Sequence, residues 1–545
     1  MRSPRTLPPA VALALAALLP APALAAGCRA GPHGDGHGGH AVAGRYHHLV
    51  VVYEENHSFD NLYGSWGPVG GERVDALSGP FTPRSRQVAQ DGSPYRCLPQ
   101  NDVNLTSPPL APTCGDASHG VPASHFANQP FTVDDHISPT DRTCPAPGVS
   151  APNGVLAGSV GAEPGGCTRD LVHRFYQEQY QIDHGEQDRY VTGSDAVGLT
   201  MGVYDTRRLP LWTYLHAPGA PKYVIADRFF QAAFGGSFLN HQYLIAARAP
   251  VDTAAGPGGA HESLHSVVDA AGFPNAGYPL YKPAATVKDA QLTQACGPAA
   301  NPTVACGDYA VTTIQPAGAP FGSGPRLPLI DDRKYPNIGD RLSEAHVDWA
   351  WYSGGWDDAE AGHPGPLFQY HHQPFAYFAA YAPGTPGRDH LKDETEFVAA
   401  ARQGTLPAVS FVKPYGAENE HPGYASEARG GDHLVDLIKT IDSGPQAGDT
   451  LVVVTYDEFG GQWDHVPPPG QGGRTKGASD LFGPGTRIPA IVLSRSLPHS
   501  GVDHTVYDTT SILATIERGL RLAPVGTRDA RVNDLSHALR AAGVR

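Results

Sequence analysis

Apolar residues along this chain gather in short continuous runs more often than in alternating ones. Leu49–Tyr53 (LVVVY), Tyr223–Ala226 (YVIA), Ala408–Val412 (AVSFV), Thr450–Tyr456 (TLVVVTY) and Ile491–Leu493 are the clearest. Unbroken apolar runs of this length are expected of strands covered on both faces. Helical spacing falls between them, at Asp170–Tyr180, Leu391–Arg402 and Gly431–Ile441. Strand, helix, strand in this order predicts an α/β fold with a mostly parallel sheet. One strong strand lies near the start of the chain and another begins at residue 450, so the sheet must be assembled from distant segments.

Two regions break the pattern. Gly67–Cys167 and Pro250–Pro336 are rich in Pro, Gly, Ser and Thr. They hold Cys97, Cys114, Cys144, Cys167, Cys296 and Cys306. These regions are expected to be disulfide-stapled loop insertions, near 67–167 and 250–336, in a single domain covering 46–545; a separate second domain is the alternative. Proximity favours Cys97–Cys114, Cys144–Cys167 and Cys296–Cys306 among the fifteen pairings that six cysteines allow.

The N-terminus has the form of a processing segment. Arg2 and Arg5 precede the apolar run Ala10–Leu19, and Ala23-Leu24-Ala25 offers a small-residue cleavage site, so 1–25 is expected to be a signal peptide. The run is too short for a membrane span, which needs about 20 apolar residues, and no transmembrane segment is expected elsewhere. The predicted location is therefore secreted, periplasmic or cell-envelope. Leu24-Ala25-Ala26-Gly27-Cys28 resembles a loose lipoprotein box, which would place a lipid anchor on Cys28; plain secretion is the alternative. Residues 26–45, with His33, His37 and His40, read as a Gly/His-rich linker, with weak metal binding as the second reading. The formal net charge of −15 gives no positive field for phosphate backbones, and nucleic acid is not an expected partner.

Ligands of open parallel sheets bind beyond the carboxyl ends of the strands. LVVVY is followed by Glu54-Glu55-Asn56-His57-Ser58-Phe59-Asp60, and TLVVVTY by Asp457-Glu458 and, further on, Asp464-His465. If those strands are neighbours, the carboxylates would repel one another unless a cation sat between them, and hard oxygen ligands suit a divalent metal. A third segment, Gly235-Gly236-Ser237, permits a tight turn into a helix whose first N–H groups could face an anion. A serine there is placed to act as a nucleophile if a metal lowers its hydroxyl pKa. His421 in ENEHPG, His173 in DLVH, and the pair His371-His372 offer proton donors or anion contacts. Each of these features alone has a plainer structural reading as a polar turn, a helix cap or a core histidine.

Taken together, these segments resemble the bacterial acid phosphatase and phospholipase C family of phosphoesterases, within the alkaline phosphatase superfamily. HLVVVYEENHSFDNLYG, DRFFQAAFGGSFLNHQ, YHHQPFAYFAAY, KPYGAENEHPGY, TYDEFGGQWDHVPPP and TVYDTTSILATIERGL occur in the family's order. The resemblance implies an alkaline phosphatase-like α/β/α sandwich and hydrolysis through a phosphoenzyme. It implies one divalent metal ion on Glu55, Asn56, Asp457 and Glu458, of which Mg, Ca, Mn and Zn are the candidates. It implies Ser237 as nucleophile, and His173 and His421 as catalytic groups around the phosphoryl oxygens. Asn240, His241, His371 and His372 match substrate-binding positions, and Asp464 and His465 match motif positions without an assigned role. Phospholipase C members carry Thr in a Pro-Thr-x-Pro-Asn-Arg turn where this chain has Gly-Gly-Ser-Phe-Leu-Asn-His. The serine form, with HHQPF downstream, is similar to the acid phosphatase branch and implies phosphate monoesters. Phospholipase C action on lipid head groups is the alternative, and a non-enzymatic phosphate- or metal-binding protein the third reading.

Overall fold

The strand His48–Glu54 (β1) runs parallel to Thr450–Tyr456, in register from His48 opposite Thr450 to Glu54 opposite Tyr456. Every residue of the second strand is buried, as its unbroken apolar run requires. Burial of a Val or Leu side chain contributes about 1.5–3 kcal/mol, so this pair forms the stable centre of the sheet. The computed structural model describes residues 41–77, 85–99, 110–137, 139–142, 155–157, 164–168, 170–194, 197–251, 298 and 329–544. The expected signal segment 1–25, Cys28, His33 to His40, Cys144, Cys296, Cys306 and most of 250–336 lie outside the described residues.

Besides β1, the main sheet contains Lys222–Ala226 (β2), Trp349–Ser353 (β3), Leu391–Asp393 (β4), Val409–Lys413 (β5), Thr450–Tyr456 (β6), Ala490–Ser494 (β7) and Gly501–Asp503 (β8). Their order across the sheet is β4-β3-β5-β1-β6-β7-β2-β8. Only β7 runs against its neighbours β6 and β2; the other pairings are parallel. The α/β class, the mostly parallel sheet and its assembly from distant segments are as expected.

Helices cover both faces. Those that position the site are Phe175–Ile182 (α1), Ser237–Ala246 (α2), Glu394–Gln403 (α3), Glu427–Ser443 (α4) and Thr510–Leu520 (α5). Side chains alternate along a strand, so Tyr53 and Glu54 point to opposite faces. Tyr53 meets His241 of α2, with ring centroids 5.0 Å apart. Tyr456, the register partner of Glu54, bonds Glu420, whose side chain lies against Gly430 and Gly431 of α4. On the first face α2 packs against α5, and on the other α3 packs against α4. The result is the expected α/β/α sandwich.

Boundaries differ from expectation in three places. Residues 391–393 form strand β4 instead of opening a helix, because Asp393 caps α3 in a capping box with Glu396. The helix expected from Asp170 begins at Phe175. Val42 and Ala43, within the expected linker, are buried. In the 67–167 region Cys97 is bonded to Cys114, as proximity suggested, and Cys167 is also disulfide-bonded. No described helix is long and apolar enough to cross a membrane.

Candidate active site

The β1–β6 register sets the two acidic segments side by side where the strands end. Asp457 N–H donates to the Glu54 carbonyl at 3.1 Å, and Asn56 N–H donates to Asp457 Oδ1 at 3.2 Å. Asn56 adopts φ +59, a left-handed conformation that asparagine tolerates better than most residues. Gly460 passes so close behind it that a Cβ there would overlap the Asn56 carbonyl oxygen. Glu55, Asn56, Asp457 and Glu458 are all fully buried.

Four oxygens converge here. The Asn56 side-chain oxygen lies 2.8 Å from Glu55 Oε2, 2.9 Å from Asp457 Oδ1 and 3.3 Å from Glu458 Oε1. In this orientation its nitrogen lies 2.9 Å from His421 Nε2. Turning the amide over would aim N–H groups at the carboxylates, but His421 would then have to donate from Nε2. His421 Nδ1 already contacts the Pro422 carbonyl at 2.7 Å, so the turned amide needs a doubly protonated ring. Burial lowers the His421 pKa and opposes that state. The neutral ring fits the oxygen-inward amide, and those oxygens then need a cation between them. Their spacing matches the edge of a six-oxygen shell, which is about 2.9 Å for bonds of 2.0–2.1 Å. Asp457 Oδ2 is also buried, with no hydrogen-bond partner among the described residues. The residues present therefore fit a hard divalent metal.

Without a cation the acids repel one another. Burial and then Glu55 push the Asp457 carboxyl up to about 7. Burial and then Asp457 raise Glu458 well above the usual carboxylate range. Burial also opposes ionisation of Glu55, but Lys413 and His372 outweigh it and hold this carboxyl well below that range.

Ser237 enters from β2. Gly235 has φ +82, and a Cβ on it would overlap the backbone of Phe175. The extended Gly236 precedes α2, and Ser237 is its first residue. Ser237 Oγ lies 3.3 Å from Glu458 Oε1 and 3.5 Å from Glu55 Oε2. The first-turn N–H groups of α2 are unpaired within the helix and available to an anion.

Among the described residues, five histidines surround this centre. His173 Nε2 is 3.3 Å from Glu458 Oε1, and burial lowers its pKa to about 3. His421 Nε2 is 3.7 Å from Glu55 Oε2. His372 Nε2 is 2.7 Å from Glu55 Oε1, and its ring stacks on His241 with centroids 5.4 Å apart. His371 meets His241 edge-on at 5.2 Å. Burial keeps His241, His371 and His372 in the neutral form, His372 at about 4.

The structure thus brings together Glu55, Asn56, Asp457, Glu458, Ser237, His173, His421, His241, His371 and His372. Asn240 sits behind the turn, where its amide bonds Ala233 N, Ala233 O, Gly235 O and Gly236 O. Asp464 and His465 join Asp60 in an ion-pair network around the buried Arg487. Three contributors were not legible as site residues. Lys413 Nζ lies 2.6 Å from Glu55 Oε1, and a lysine ending an apolar strand run was the available signal. Glu178 holds the serine turn and Arg487 ties the two acidic loops; both act across long sequence separations that no local pattern marks.

Residues 46–523 match the model of the Phosphoesterase family. Among curated proteins, phospholipase C B of Mycobacterium tuberculosis is 28% identical over 248 residues, 40% of this chain and 46% of that protein. Phospholipase C A of the same organism is 30% identical over 224 residues, 36% of this chain and 41% of that protein. Non-specific phospholipase C6 of Arabidopsis thaliana is 30% identical over 154 residues, 24% of this chain and 29% of that protein. The matched segments span less than half the length of these relatives.

Proposed function

Because the chain belongs to the phosphoesterase family, we propose that it hydrolyses phosphate monoesters through a phosphoserine formed on Ser237. The observation carrying this reading is the Ser237 hydroxyl, held at the head of α2 within 3.5 Å of two carboxylates of the oxygen cage. Glu55, Asn56, Asp457 and Glu458 would hold one divalent ion, Mg, Ca, Mn or Zn, which supplies Lewis-acid stabilisation of phosphoryl charge and makes the serine hydroxyl more acidic.

Ser237 passes its hydroxyl proton by way of Glu458 Oε1, 3.3 Å away, to His173 Nε2, 3.3 Å from that oxygen, and Oγ attacks phosphorus, forming a P–O bond as the ester P–O bond breaks. The N–H groups at the start of α2 and the histidine side chains offset charge on the equatorial oxygens. His173 presents Nε2 to the site, while neutral His421 holds the Asn56 amide through its own Nε2. A phosphoryl dianion beside His173 raises its proton affinity, and it protonates the departing alcohol. Water then cleaves the phosphoserine. His241, which contacts the Ser237 carbonyl, packs with His371 and His372 beside Glu55, and the three contribute to substrate binding.

A second reading, phospholipase C action on lipid phosphodiesters, is favoured by the names of the relatives. It uses the same serine and acids with a different leaving group. Rates on p-nitrophenyl phosphate and p-nitrophenyl phosphorylcholine separate the two. Preference for the monoester supports the first reading, and preference for the choline diester replaces it with the second. Export, with either a lipid on Cys28 or plain secretion, belongs to the same proposal. The mass of the mature N-terminus tests it.

A further inference from the structure

Glu55 faces two ways. Its Oε2 looks toward Ser237, Asn56 and His421, at 3.5, 2.8 and 3.7 Å. Its Oε1 looks toward Lys413 Nζ at 2.6 Å and His372 Nε2 at 2.7 Å. Glu55, His241 and His372 each offer a ligand atom, all within 4.8 Å of one another, and the His241 ring stacks on that of His372. His241 Nδ1 contacts the Ser237 carbonyl at 2.7 Å, so the proton sits on Nδ1. Its Nε2 lone pair is then bare and buried, with no hydrogen-bond partner among the described residues. A histidine oriented through its other nitrogen by a carbonyl is the form that ligates metals. One carboxylate and two neutral imidazoles make a donor set for a transition metal.

A cation already stands at this place. Lys413 is fully buried, bonds the Glu54 carbonyl at 3.1 Å and lies over the Tyr53 ring at 5.1 Å. Three fixed contacts, to Glu55 Oε1, the Glu54 carbonyl and the Tyr53 ring, hold its ammonium on the Glu55 oxygen that His372 Nε2 also faces. Two like charges on one carboxylate oxygen repel strongly in a buried site. We infer that Lys413 is a built-in cation that occupies the Glu55–His241–His372 group in place of a second metal ion, so the site takes one ion, in the oxygen cage. Lys413 is thus a positioning residue: it acts on the reaction through Glu55, keeping Oε2 turned to the serine side.

The inference rests on the reading that the oxygen cage binds a metal. Both are tested by dialysing apo protein against manganese(II) or cobalt(II) and counting bound ions by elemental analysis. Wild type and Lys413→Arg are expected to bind one ion per chain, and Lys413→Met two. In cobalt-loaded Lys413→Met the added ion should shift imidazole proton resonances, and His372→Phe in that background should abolish the shift and return the count to one. Two ions on wild type, or no more ions on Lys413→Met than on wild type, overturns the inference. Should Lys413→Met not fold, Lys413→Gln, which keeps a donor for the Glu54 carbonyl, is judged by the same counts. A wild type that binds no ion defeats the metal reading instead. Uptake by Lys413→Met alone would then still support exclusion by the ammonium.

Discussion

Glu178 Oε2 accepts the Gly235 backbone N–H at 2.5 Å, while Oε1 accepts the N–H of Thr486 at 2.7 Å. A carboxyl buried on α1 thereby fixes the turn that launches Ser237. Burial pushes its pKa from the ordinary 4.5 to about 8. The unfolded chain releases this proton near the lower value and the folded chain near the higher one. Between them the folded state binds more protons, so stability falls as pH rises through that window. Glu178→Gln should flatten the decline. Equal slopes of Tm against pH for wild type and variant would exclude Glu178 as its source.

Ser237→Ala should lower turnover of p-nitrophenyl phosphate by about 10⁴-fold or more. Stability should hardly change, because the cap of α2 is Gly236 and no backbone group depends on the hydroxyl. Circular dichroism with thermal melting separates the two effects. Activity near wild type would remove Ser237 as nucleophile.

Chelation should abolish activity, and a divalent ion should restore it. Asp457→Asn keeps one oxygen, replaces the other by an amide nitrogen and removes a charge, so metal affinity should fall by at least about tenfold to a hundredfold, the loss seen when only an outer partner is removed. Elemental analysis after dialysis reads the ligand role directly. Full metal content in Asp457→Asn would contradict it.

Gly460→Ala forces a side chain into a left-handed residue, φ +63, and against the Asn56 carbonyl. Gly219→Ala is a matched control, with φ +83 and open space around the added methyl. The control should cost about 1 kcal/mol of stability and leave activity intact. Gly460→Ala should cost more and also weaken metal binding. If both variants keep wild-type metal affinity, Gly460 does not hold Asn56 in place.

Arg487 donates to Asp60 Oδ1 at 2.9 Å and to Asp464 Oδ1 at 3.0 Å, all three side chains being buried. Arg487→Met leaves buried Asp464 without its ion-pair partner and Asp60 with His465 alone, and urea unfolding should register a loss of about 3–5 kcal/mol. Arg487→Lys keeps the charge without the planar fork and should lie between. A loss under about 1 kcal/mol for Arg487→Met would mean that the network adds nothing to stability.

Much of this molecule was legible because its centre is local. The runs LVVVY and TLVVVTY are strands by composition alone, and each delivers its acids within two residues of its end. Trp349–Ser353 (WAWYS) escaped because its aromatic and hydroxyl residues do not form an aliphatic run, although the strand is buried throughout. Leu391–Asp393 was absorbed into a helix although Asp393 and Glu396 carry a capping-box spacing that marks the helix start. In the site, Ser237 and the acids stand in recognisable motifs. Lys413, Glu178 and Arg487 matter through partners some 60 to 430 positions away, and only the folded chain shows whom they meet.

The reversed strand β7 separates β2 from β6, and β6 in turn separates it from β1. With neighbouring strands about 4.8 Å apart, the chain leaving β2 must travel about 14 Å along the sheet edge before Ser237 can stand beside Glu55. Residues 227–236 cover that distance. Their length works as a ruler: one residue more or fewer between Ala226 and Ser237 would move the hydroxyl by roughly the span of a residue, about 3.3 Å, and so out of reach of both carboxylates. Insertions and deletions that preserve chemistry must therefore fall elsewhere, and this ten-residue stretch should tolerate changes of side chain far better than changes of length.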